Sequence, residues 1–261
     1  MPGDAQNWRA PFAMFEGGSN SCGDLFGSSM TWVKICGMTN LEDALTAVEA
    51  GADAVGFVFY EKSPRCVSLE TARQIVDRLP QSVEKVGVFV GDVRAAETAV
   101  SCGLGAVQFY VARSNSTSPM TPPDPQHSKM VKRYWAVPSE TFLDEPLADG
   151  NLESVAWGRH GELWAFPDAI FVDSGNWQQP GGTGRAFDWG EAAAAFKILN
   201  QRLRVVVAGG LTADNVSEAI EVLHPWGVDV ASGVEASPGK KDPEKVRAFV
   251  RAVREMDRKV G

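Results

Sequence analysis

The sequence predicts an α/β fold in which eight parallel strands close a single (β/α)8 barrel, or TIM barrel. Eight short apolar runs recur from residue 31 onward, as expected for strands that are buried on both faces. Segments with helical periodicity separate most of these runs, and such alternation indicates parallel pairing. Eight strand–helix units close a barrel, and a chain of 261 residues has the length of one barrel domain.

The predicted strands and helices can be placed individually. We expect strands at 32–36, 53–59, 84–90, 105–110, 132–137, 169–173, 204–208 and 227–231. Among the helices, Leu41–Ala50 is the most clearly marked, because Asn40 can cap its start and Gly51 stops it. The other helix starts are marked by Ser68 (for a stretch to Leu79), Asp188, Thr212 and the pair Asp242-Pro243.

Two parts of the chain depart from this regularity. Residues 1–31 carry scattered Gly, Ser and Asn with no period, so we expect a flexible N-terminal extension before a barrel domain at 32–261. Residues 111–129 are rich in Ser, Thr and Pro and have the composition of a long exposed loop. The fourth helix is weakly marked, and the fifth is best matched by 152–157. An irregular segment is therefore predicted around strands 4–6.

The composition excludes several classes of partner. A net charge of −8 argues against nucleic acid, because neutralising its phosphates needs clustered Lys and Arg, yet it allows a small anionic substrate. No apolar run approaches the roughly 18 residues of a membrane span, and the secretory pattern is missing at the N-terminus. We therefore expect a cytoplasmic protein without a membrane partner. The four cysteines and three histidines show no metal-ligand spacing, so reduced thiols and no metal are expected.

Two predicted strands end in side chains suited to proton transfer. Cys36 ends the first strand and is followed by Gly37, and Asp173 ends the sixth. The carboxyl ends of barrel strands form the mouth at which barrel enzymes act. A buried cysteine is commonly only a small hydrophobic residue, whereas a carboxylate at the end of an apolar strand needs water, a ligand or a partner. We predict that the thiol and the carboxyl face each other across the mouth.

The remaining candidates on the first two strands have competing interpretations. Lys34 shares a face with Cys36, where it can pair with an interior acid or serve as a Schiff-base lysine. Arg65 follows the second strand and is either a solvated surface residue or a group that grips a substrate carboxylate. Cys66 and Cys102 are interpreted as structural.

Three glycine-bearing loops predict a phosphorylated substrate. They follow the sixth, seventh and eighth strands, and loops after strands seven and eight commonly bind phosphate in barrels. Their exposed backbone N–H groups can approach a phosphate closely. The residues concerned are Gly182, Thr183, Gly184, Gly209, Gly210, Ser232 and Gly233.

Taken together, these residues resemble the phosphoribosylanthranilate isomerase family of tryptophan biosynthesis. The resemblance runs from about Val33 to Phe249, is broken at 111–168, and rests on the segments KICG, GGTGRAFDW and ASGVE. It implies an Amadori rearrangement with Cys36 as general base and Asp173 as general acid, without metal or organic cofactor. It also implies that Arg65 contacts the anthranilate carboxylate and that the three glycine loops hold the phosphate.

The fourth strand departs from the pattern of this family. A Gln-Leu-His-Gly motif commonly ends it, whereas this chain has Gln108-Phe109-Tyr110, so a tyrosine replaces the histidine and the glycine is missing. We expect this change to concern the aromatic end of the pocket more than the acid–base pair. We also expect opposite environments for the two catalytic groups, since a thiol base needs a lowered pKa or thiolate-favouring surroundings and an acid a raised pKa.

Three alternatives stay open at the level of sequence. Another phosphosugar isomerase of the aminoaldose–ketose type would resemble proteins with aspartate, not cysteine, at the position of Cys36. A Schiff-base aldolase would use Lys34. A non-catalytic barrel, derived from a fused tryptophan-pathway enzyme or associated with other enzymes of that pathway, would need neither.

Overall fold

The computed structural model describes residues 30–90, 95–110, 131–140, 167–175 and 184–260. Within these ranges eight parallel strands close a barrel in chain order, with the last strand paired to the first. The strands are β1 (Trp32–Cys36), β2 (Ala54–Val58), β3 (Glu84–Val90), β4 (Ala106–Tyr110), β5 (Lys132–Pro138), β6 (Ala169–Asp173), β7 (Val205–Ala208) and β8 (Gly227–Val230). The predicted fold class is confirmed.

The described helices lie outside this barrel. They are α1 (Leu41–Ala50), α2 (Leu69–Val76), α3 (Ala95–Ser101), α4 (Trp189–Leu199), α5 (Val216–Leu223) and α6 (Pro243–Val260). A 3-10 turn at Ser232–Val234 and a small antiparallel pair, β9 (Glu235–Ser237) with β10 (Lys240–Lys241), follow β8. No helix in the described part of the chain is both long and apolar enough to cross a membrane.

Alternation along the strands divides the core into two layers. Side chains that point outward from the strands pack against the helices and form the larger cluster, for example Val33, Ile35 and Phe57. Those that point inward fill the barrel, for example Ala106, Phe171 and Val206. This period of two sends every second residue of each strand into the barrel interior. The last inward residue of a strand therefore lies at the mouth.

The helix boundaries follow the capping residues with two adjustments. The side chains of Asn40, Ser68 and Asp188 accept the expected backbone hydrogen bonds at the starts of α1, α2 and α4. The helix expected from Thr212 begins only at Val216, because the side chain of Asn215 accepts from Thr212 N–H and closes a preceding turn. The stretch expected to Leu79 ends as regular helix at Val76 and continues as tighter turns.

The strand predictions agree with the structure within one residue at each end. The expectations for residues 1–29 and 111–130, and the fifth helix at 152–157, lie outside the described residues. Cys36, Cys66 and Cys102 are free thiols, as predicted, although Cys66 is exposed rather than packed in the core.

Candidate active site

Cys36 is the last residue of β1 and is buried at the barrel mouth. Gly56 on the neighbouring strand makes room for it, since a Cβ at Gly56 would lie 2.8 Å from the Cys36 sulfur. Gly37 then turns the chain with a φ of 83°, and a Cβ there would lie 2.6 Å from Cδ of Arg65. Glycine at position 37 therefore serves both the turn and the close approach of the arginine.

A buried ion pair lies directly below Cys36. The Lys34 ammonium is fully buried and donates to Asp229 Oδ1 at 2.8 Å, so Lys34 pairs with an interior acid, one of its two predicted roles. Burial alone would lower the pKa of Lys34, but Asp229 and Cys36 raise it above its usual value. A charged, paired ammonium is a poor Schiff-base nucleophile, which disfavours the aldolase alternative.

The thiol of Cys36 does not have the lowered pKa that we considered. Burial raises its pKa, with Asp229 acting in the same direction, while the positive charges of Lys34 and Lys241 oppose the rise. The surroundings still contain what a thiolate needs, because the positive charge of the nearby Lys34 ammonium favours an anion on the sulfur. Cys36 is therefore a neutral thiol beside a cation that can stabilise its anion.

Asp173 is buried at the end of β6 with both carboxyl oxygens engaged. Oδ1 accepts from Gly175 N–H at 2.6 Å, and Oδ2 accepts from the Tyr110 hydroxyl at 3.1 Å. Burial raises the pKa of Asp173, and the two hydrogen bonds oppose that rise without cancelling it. A raised pKa favours the protonated carboxyl, which is the form that a general acid requires.

The interpretation of Tyr110 needs correction. We expected its departure from the family motif to concern the aromatic end of the pocket, but the phenol hydroxyl donates directly to Asp173. The physical reason is the register: Tyr110 is the last inward residue of β4, two strands from β6, so it points into the mouth beside Asp173. Burial raises the pKa of Tyr110 well above its usual value, and the Asp173 charge adds to this.

Arg65 is held by Glu235 in a two-point ion pair. Its Nε and Nη2 each donate to a Glu235 carboxylate oxygen at 2.8 Å. This pair uses one edge of the guanidinium, whose five N–H donors lie in a planar fork, so the Nη1 side retains donors. Arg65 is thus not simply a solvated surface residue, and Glu235 does not occupy all of its hydrogen-bond donors. The guanidinium also interacts electrostatically with Cys36 and Tyr110.

Glu235 is the centre of a network that the sequence did not reveal. In addition to Arg65, it accepts from the fully buried Lys241 ammonium at 3.1 Å and from Gly239 N–H at 3.3 Å. Burial would raise the pKa of Glu235, but the hydrogen bonds from Arg65 and the charge of Lys241 bring it below its usual value. The carboxylate is therefore ionised near neutral pH, and it fixes the direction of the Arg65 side chain.

The glycine loops after strands six, seven and eight pack against one another. A Cβ at Gly209 would lie 2.6 Å from Ser174 N, one at Gly210 would collide with the backbone at Arg185 and Ala186, and one at Gly233 would collide with Leu211 O. Gly184, Gly209 and Gly210 have positive φ values of 68°, 81° and 66°. The contacts require glycine at 209, 210 and 233 and bring the three loops together. Gly182 and Thr183 lie outside the described residues.

Asn215 holds the loop after β7 in its conformation. Its amide donates to Gly210 O at 3.0 Å and its carbonyl oxygen accepts from Thr212 N–H at 2.8 Å. The sequence alone does not mark this role, because an asparagine beside a helix start is interpreted first as a helix cap. Ser232 and Gly233 open the 3-10 turn after β8, and backbone N–H groups at such a turn suit an anion.

Taken together, the mouth holds a thiol, a carboxyl of raised pKa, an arginine and converging glycine loops. Cys36 and Asp173 both lie within electrostatic reach of the Lys34–Asp229 pair. Among the described residues, no group of three His, Cys, Asp or Glu side chains is placed to hold a metal ion. The fold and the site define a (β/α)8-barrel enzyme equipped for acid–base chemistry on a small anionic substrate.

Comparison with known proteins identifies the family within this class. The profile of the N-(5'-phosphoribosyl)anthranilate (PRA) isomerase family matches residues 33–110 and 164–252. The N-(5'-phosphoribosyl)anthranilate isomerase of Pelobacter propionicus is 44% identical over 228 residues, which are 87% of this chain and 97% of the relative. That of Trichlorobacter lovleyi is 42% identical over 230 residues, which are 87% of this chain and 99% of the relative. The chain belongs to the N-(5'-phosphoribosyl)anthranilate isomerase family.

Solved structures agree with this assignment. The phosphoribosyl anthranilate isomerase of Thermotoga maritima is 36% identical and has a TM-score of 0.68, over 87% of this chain and all of that one. A crystal structure of a phosphoribosyl anthranilate isomerase in complex with reduced 1-(o-carboxyphenylamino)-1-deoxyribulose 5-phosphate is 35% identical with a TM-score of 0.64, again over 87% of this chain and all of that one. The profile leaves residues 111–163 unmatched, so the break is slightly shorter than the segment 111–168 expected from the sequence.

Proposed function

We propose that this chain converts N-(5'-phosphoribosyl)anthranilate to 1-(2-carboxyphenylamino)-1-deoxyribulose 5-phosphate, an Amadori rearrangement in tryptophan biosynthesis. The observation that carries the proposal is the pair of titratable groups at opposite strand ends of one mouth, Cys36 on β1 and Asp173 on β6. The family match adds the substrate, which the residues alone do not specify.

Asp173 acts as the general acid in the first step. Its carboxyl proton passes to the ribose ring oxygen as the bond from that oxygen to C1' breaks, and the nitrogen lone pair forms the C1'–N double bond of a Schiff base. Burial raises the pKa of Asp173, which favours the protonated form that a general acid requires. The Asp173 carboxylate that remains accepts hydrogen bonds from Gly175 N–H and from Tyr110.

Cys36 acts as the general base in the second step. Its thiolate takes the C2' proton, the C2'–H electrons form the C1'–C2' double bond, and the Schiff-base electrons return to nitrogen to give an enolamine. Loss of the C2' hydroxyl proton and protonation of C1' then give the ketone. Burial holds the pKa of the Cys36 thiol above its usual value, and the Lys34 cation opposes this rise and so stabilises the thiolate when it forms. Each positioned proton transfer typically contributes about 10²–10⁴-fold to the rate.

Substrate binding divides between a carboxylate end and a phosphate end. Arg65 offers the guanidinium edge that Glu235 leaves open to the anthranilate carboxylate. The backbone of Gly182–Gly184, Gly209–Gly210 and Ser232–Gly233 offers N–H groups to the phosphate. The packing of Gly209, Gly210 and Gly233 against neighbouring loops supports this assignment. The roles of Gly182 and Thr183 rest on the family resemblance.

The cellular setting belongs to the same proposal. We place the enzyme in the cytoplasm, where tryptophan synthesis supplies its substrate, and we regard association with other enzymes of that pathway as compatible with the barrel. The division into an extension at 1–31 and a catalytic barrel at 32–261 is likewise proposed.

The direct test is a turnover assay with the purified full chain. We expect the fluorescence of N-(5'-phosphoribosyl)anthranilate to decrease when the enzyme is added, with the deoxyribulose product identified by chromatography after borohydride reduction. The aminoaldose substrate of the related phosphosugar isomerases is the matched control and should not turn over. Folded protein that leaves the fluorescence unchanged would contradict the proposal and favour a non-catalytic barrel.

A further inference from the structure

Tyr110 stands where the family motif has histidine, and it contacts the carboxyl of Asp173. Its hydroxyl reaches Asp173 Oδ2 at 3.1 Å from β4, across the inside of the barrel. The other carboxyl oxygen is bound by Gly175 N–H at 2.6 Å. Asp173 is therefore held at both oxygens, once by backbone and once by a side chain. The Gly175 donor is a backbone group and does not depend on a side chain at that position, so Tyr110 is the side-chain donor to this carboxyl among the described residues.

We propose that Tyr110 is a positioning residue for the general acid, holding Asp173 by its hydroxyl and stabilising the carboxylate that forms when the proton leaves. This inference rests on the proposed function. A phenol hydrogen bond to a carboxylate is stronger than one to a neutral carboxylic acid, because the acceptor carries charge. The bond therefore tightens as Asp173 delivers its proton to the ring oxygen, and an interaction that strengthens along the reaction raises the turnover number.

The replacement of histidine by tyrosine has a specific consequence at this position. The pKa of Tyr110 lies well above its usual value, so the hydroxyl is a donor throughout the pH range in which the protein works. An imidazole at this position would titrate near neutral pH, so its charge and its number of N–H donors would change with pH. The pH dependence of the acid step in this chain is then set by Asp173 itself.

Four charged or titratable groups among the described residues act on Tyr110. Asp173 faces it from β6, Cys36 from β1, Asp229 from β8 and Arg65 from the segment after β2. Its register partners on β3 and β5 are Val90 and Ala136, which do not titrate.

Those groups stay in place when only the phenol oxygen is removed. The substitution Tyr110→Phe therefore changes one hydrogen bond to Asp173 and no charge. Since a hydrogen bond to the charged form lowers the pKa of an acid, its loss moves the pKa of Asp173 upward.

The experiment compares Tyr110→Phe with Tyr134→Phe. Tyr134 is the matched control, because its buried hydroxyl donates to the Glu84 carboxylate at 2.8 Å near the opposite end of the barrel. For Tyr110→Phe we expect kcat to fall roughly 10- to 100-fold with KM within about threefold, the range expected for one hydrogen bond to a charged group. We also expect the limb of the kcat/KM profile that Asp173 sets to move to higher pH.

The limb that Cys36 sets should stay where it is. That limb is located independently from the pH dependence of Cys36 alkylation, read by peptide mass spectrometry so that the exposed Cys66 is counted separately. Tyr134→Phe should change neither kcat nor either limb.

Tyr110→His is the second arm of the test. It restores a donor, so we expect it to recover most of the lost kcat and to introduce an additional dependence near pH 6.5. The inference would be overturned if Tyr110→Phe left kcat and both limbs unchanged. It would also be overturned if Tyr134→Phe lost as much kcat as Tyr110→Phe, or if a folded Tyr110→His variant were as slow as Tyr110→Phe. An inactive wild-type chain would instead overturn the proposed function.

Discussion

The two ends of this barrel are filled by different chemistry. At the amino end, Trp32 stacks on Trp226 with ring centroids 5.1 Å apart, and Tyr134 and Phe171 pack edge-on or tilted around them. At the carboxyl end, the inward positions carry a thiol, a carboxyl and a phenol that titrate or donate. Lys34 marks the boundary, with its ammonium 5.3 Å from the Phe171 ring and paired to Asp229.

The two tyrosine–carboxylate pairs show what this difference means. Tyr134 donates to Glu84 at 2.8 Å, and Glu84 is also paired with the half-exposed Lys132, so its charge is compensated within the structure. Tyr110 donates to Asp173 at 3.1 Å, where burial raises the pKa of the carboxyl and the hydrogen bonds from Gly175 and Tyr110, with the charge of Lys34, oppose the rise without cancelling it. We propose that the same kind of contact stabilises the fold at one end and positions the general acid at the other.

The boundary lysine gives the largest expected effect on stability. Lys34→Met leaves Asp229 buried without its partner, which typically costs about 3–5 kcal/mol of unfolding free energy. The variant should also lose turnover, because Cys36 loses the cation that stabilises its thiolate. Urea unfolding and the fluorescence assay measure the two effects.

The double variant Lys34→Met/Asp229→Asn separates the two roles of the pair. It removes both charges, so most of the stability should return while turnover stays low. If Lys34→Met alone lowers the unfolding free energy by less than about 1 kcal/mol, the Lys34–Asp229 pair does not behave as a buried ion pair.

The network at Glu235 gives a smaller effect on substrate binding. Glu235→Gln removes the charge that holds Arg65, so we expect KM to rise about tenfold, a free-energy change of about 1.4 kcal/mol, with kcat little changed. Arg65→Ala should raise KM further. Steady-state kinetics with both variants provide the measurement.

An exposed ion pair between an arginine and a glutamate provides the control for this prediction. Arg247 pairs with Glu244 on the surface of α6 at 3.0 Å, and Arg247→Ala should leave both constants unchanged. If Arg65→Ala also leaves KM unchanged, Arg65 does not belong to the carboxylate site.

The amino end gives the smallest effect on activity. Tyr134→Phe should lower the unfolding free energy by about 1–2 kcal/mol, because one buried hydrogen bond to a charged group is lost. The kcat/KM ratio should stay within about twofold, because the hydroxyl is remote from the mouth. A large loss of turnover without loss of stability would contradict the division between the two ends.

The features of the fold and the site that depend on local sequence pattern were predictable from the sequence. Alternation within β1 placed Lys34 and Cys36 on one inward face, and apolar runs located the strand ends, since both follow from the period of two. The turn at Gly37 and the helix cap at Asn40 were likewise predictable, because each residue type meets a requirement of the backbone next to it. These features need no knowledge of distant residues.

The parts that depend on distant partners were not predictable from the sequence. Arg65 and Glu235 are 170 positions apart, and Tyr110 and Asp173 are 63 apart, so neither contact has a local signal. The direction of the Cys36 pKa shift depends on the balance between burial and the charges of Lys34 and Asp229. The distances among these three side chains are set by closure of the barrel. The sequence shows that Lys34 and Asp229 are charged, but it does not show how close they lie to Cys36.

We propose that Cys36 and Asp173 carry the chemistry at the mouth of the barrel. The most direct measurement is the turnover of N-(5'-phosphoribosyl)anthranilate by Cys36→Ala and Asp173→Asn, together with the unfolding free energy of each. We predict that each substitution lowers kcat by roughly 10²–10⁴-fold while the protein stays folded. Near-wild-type turnover in either folded variant would contradict the assignment of that residue.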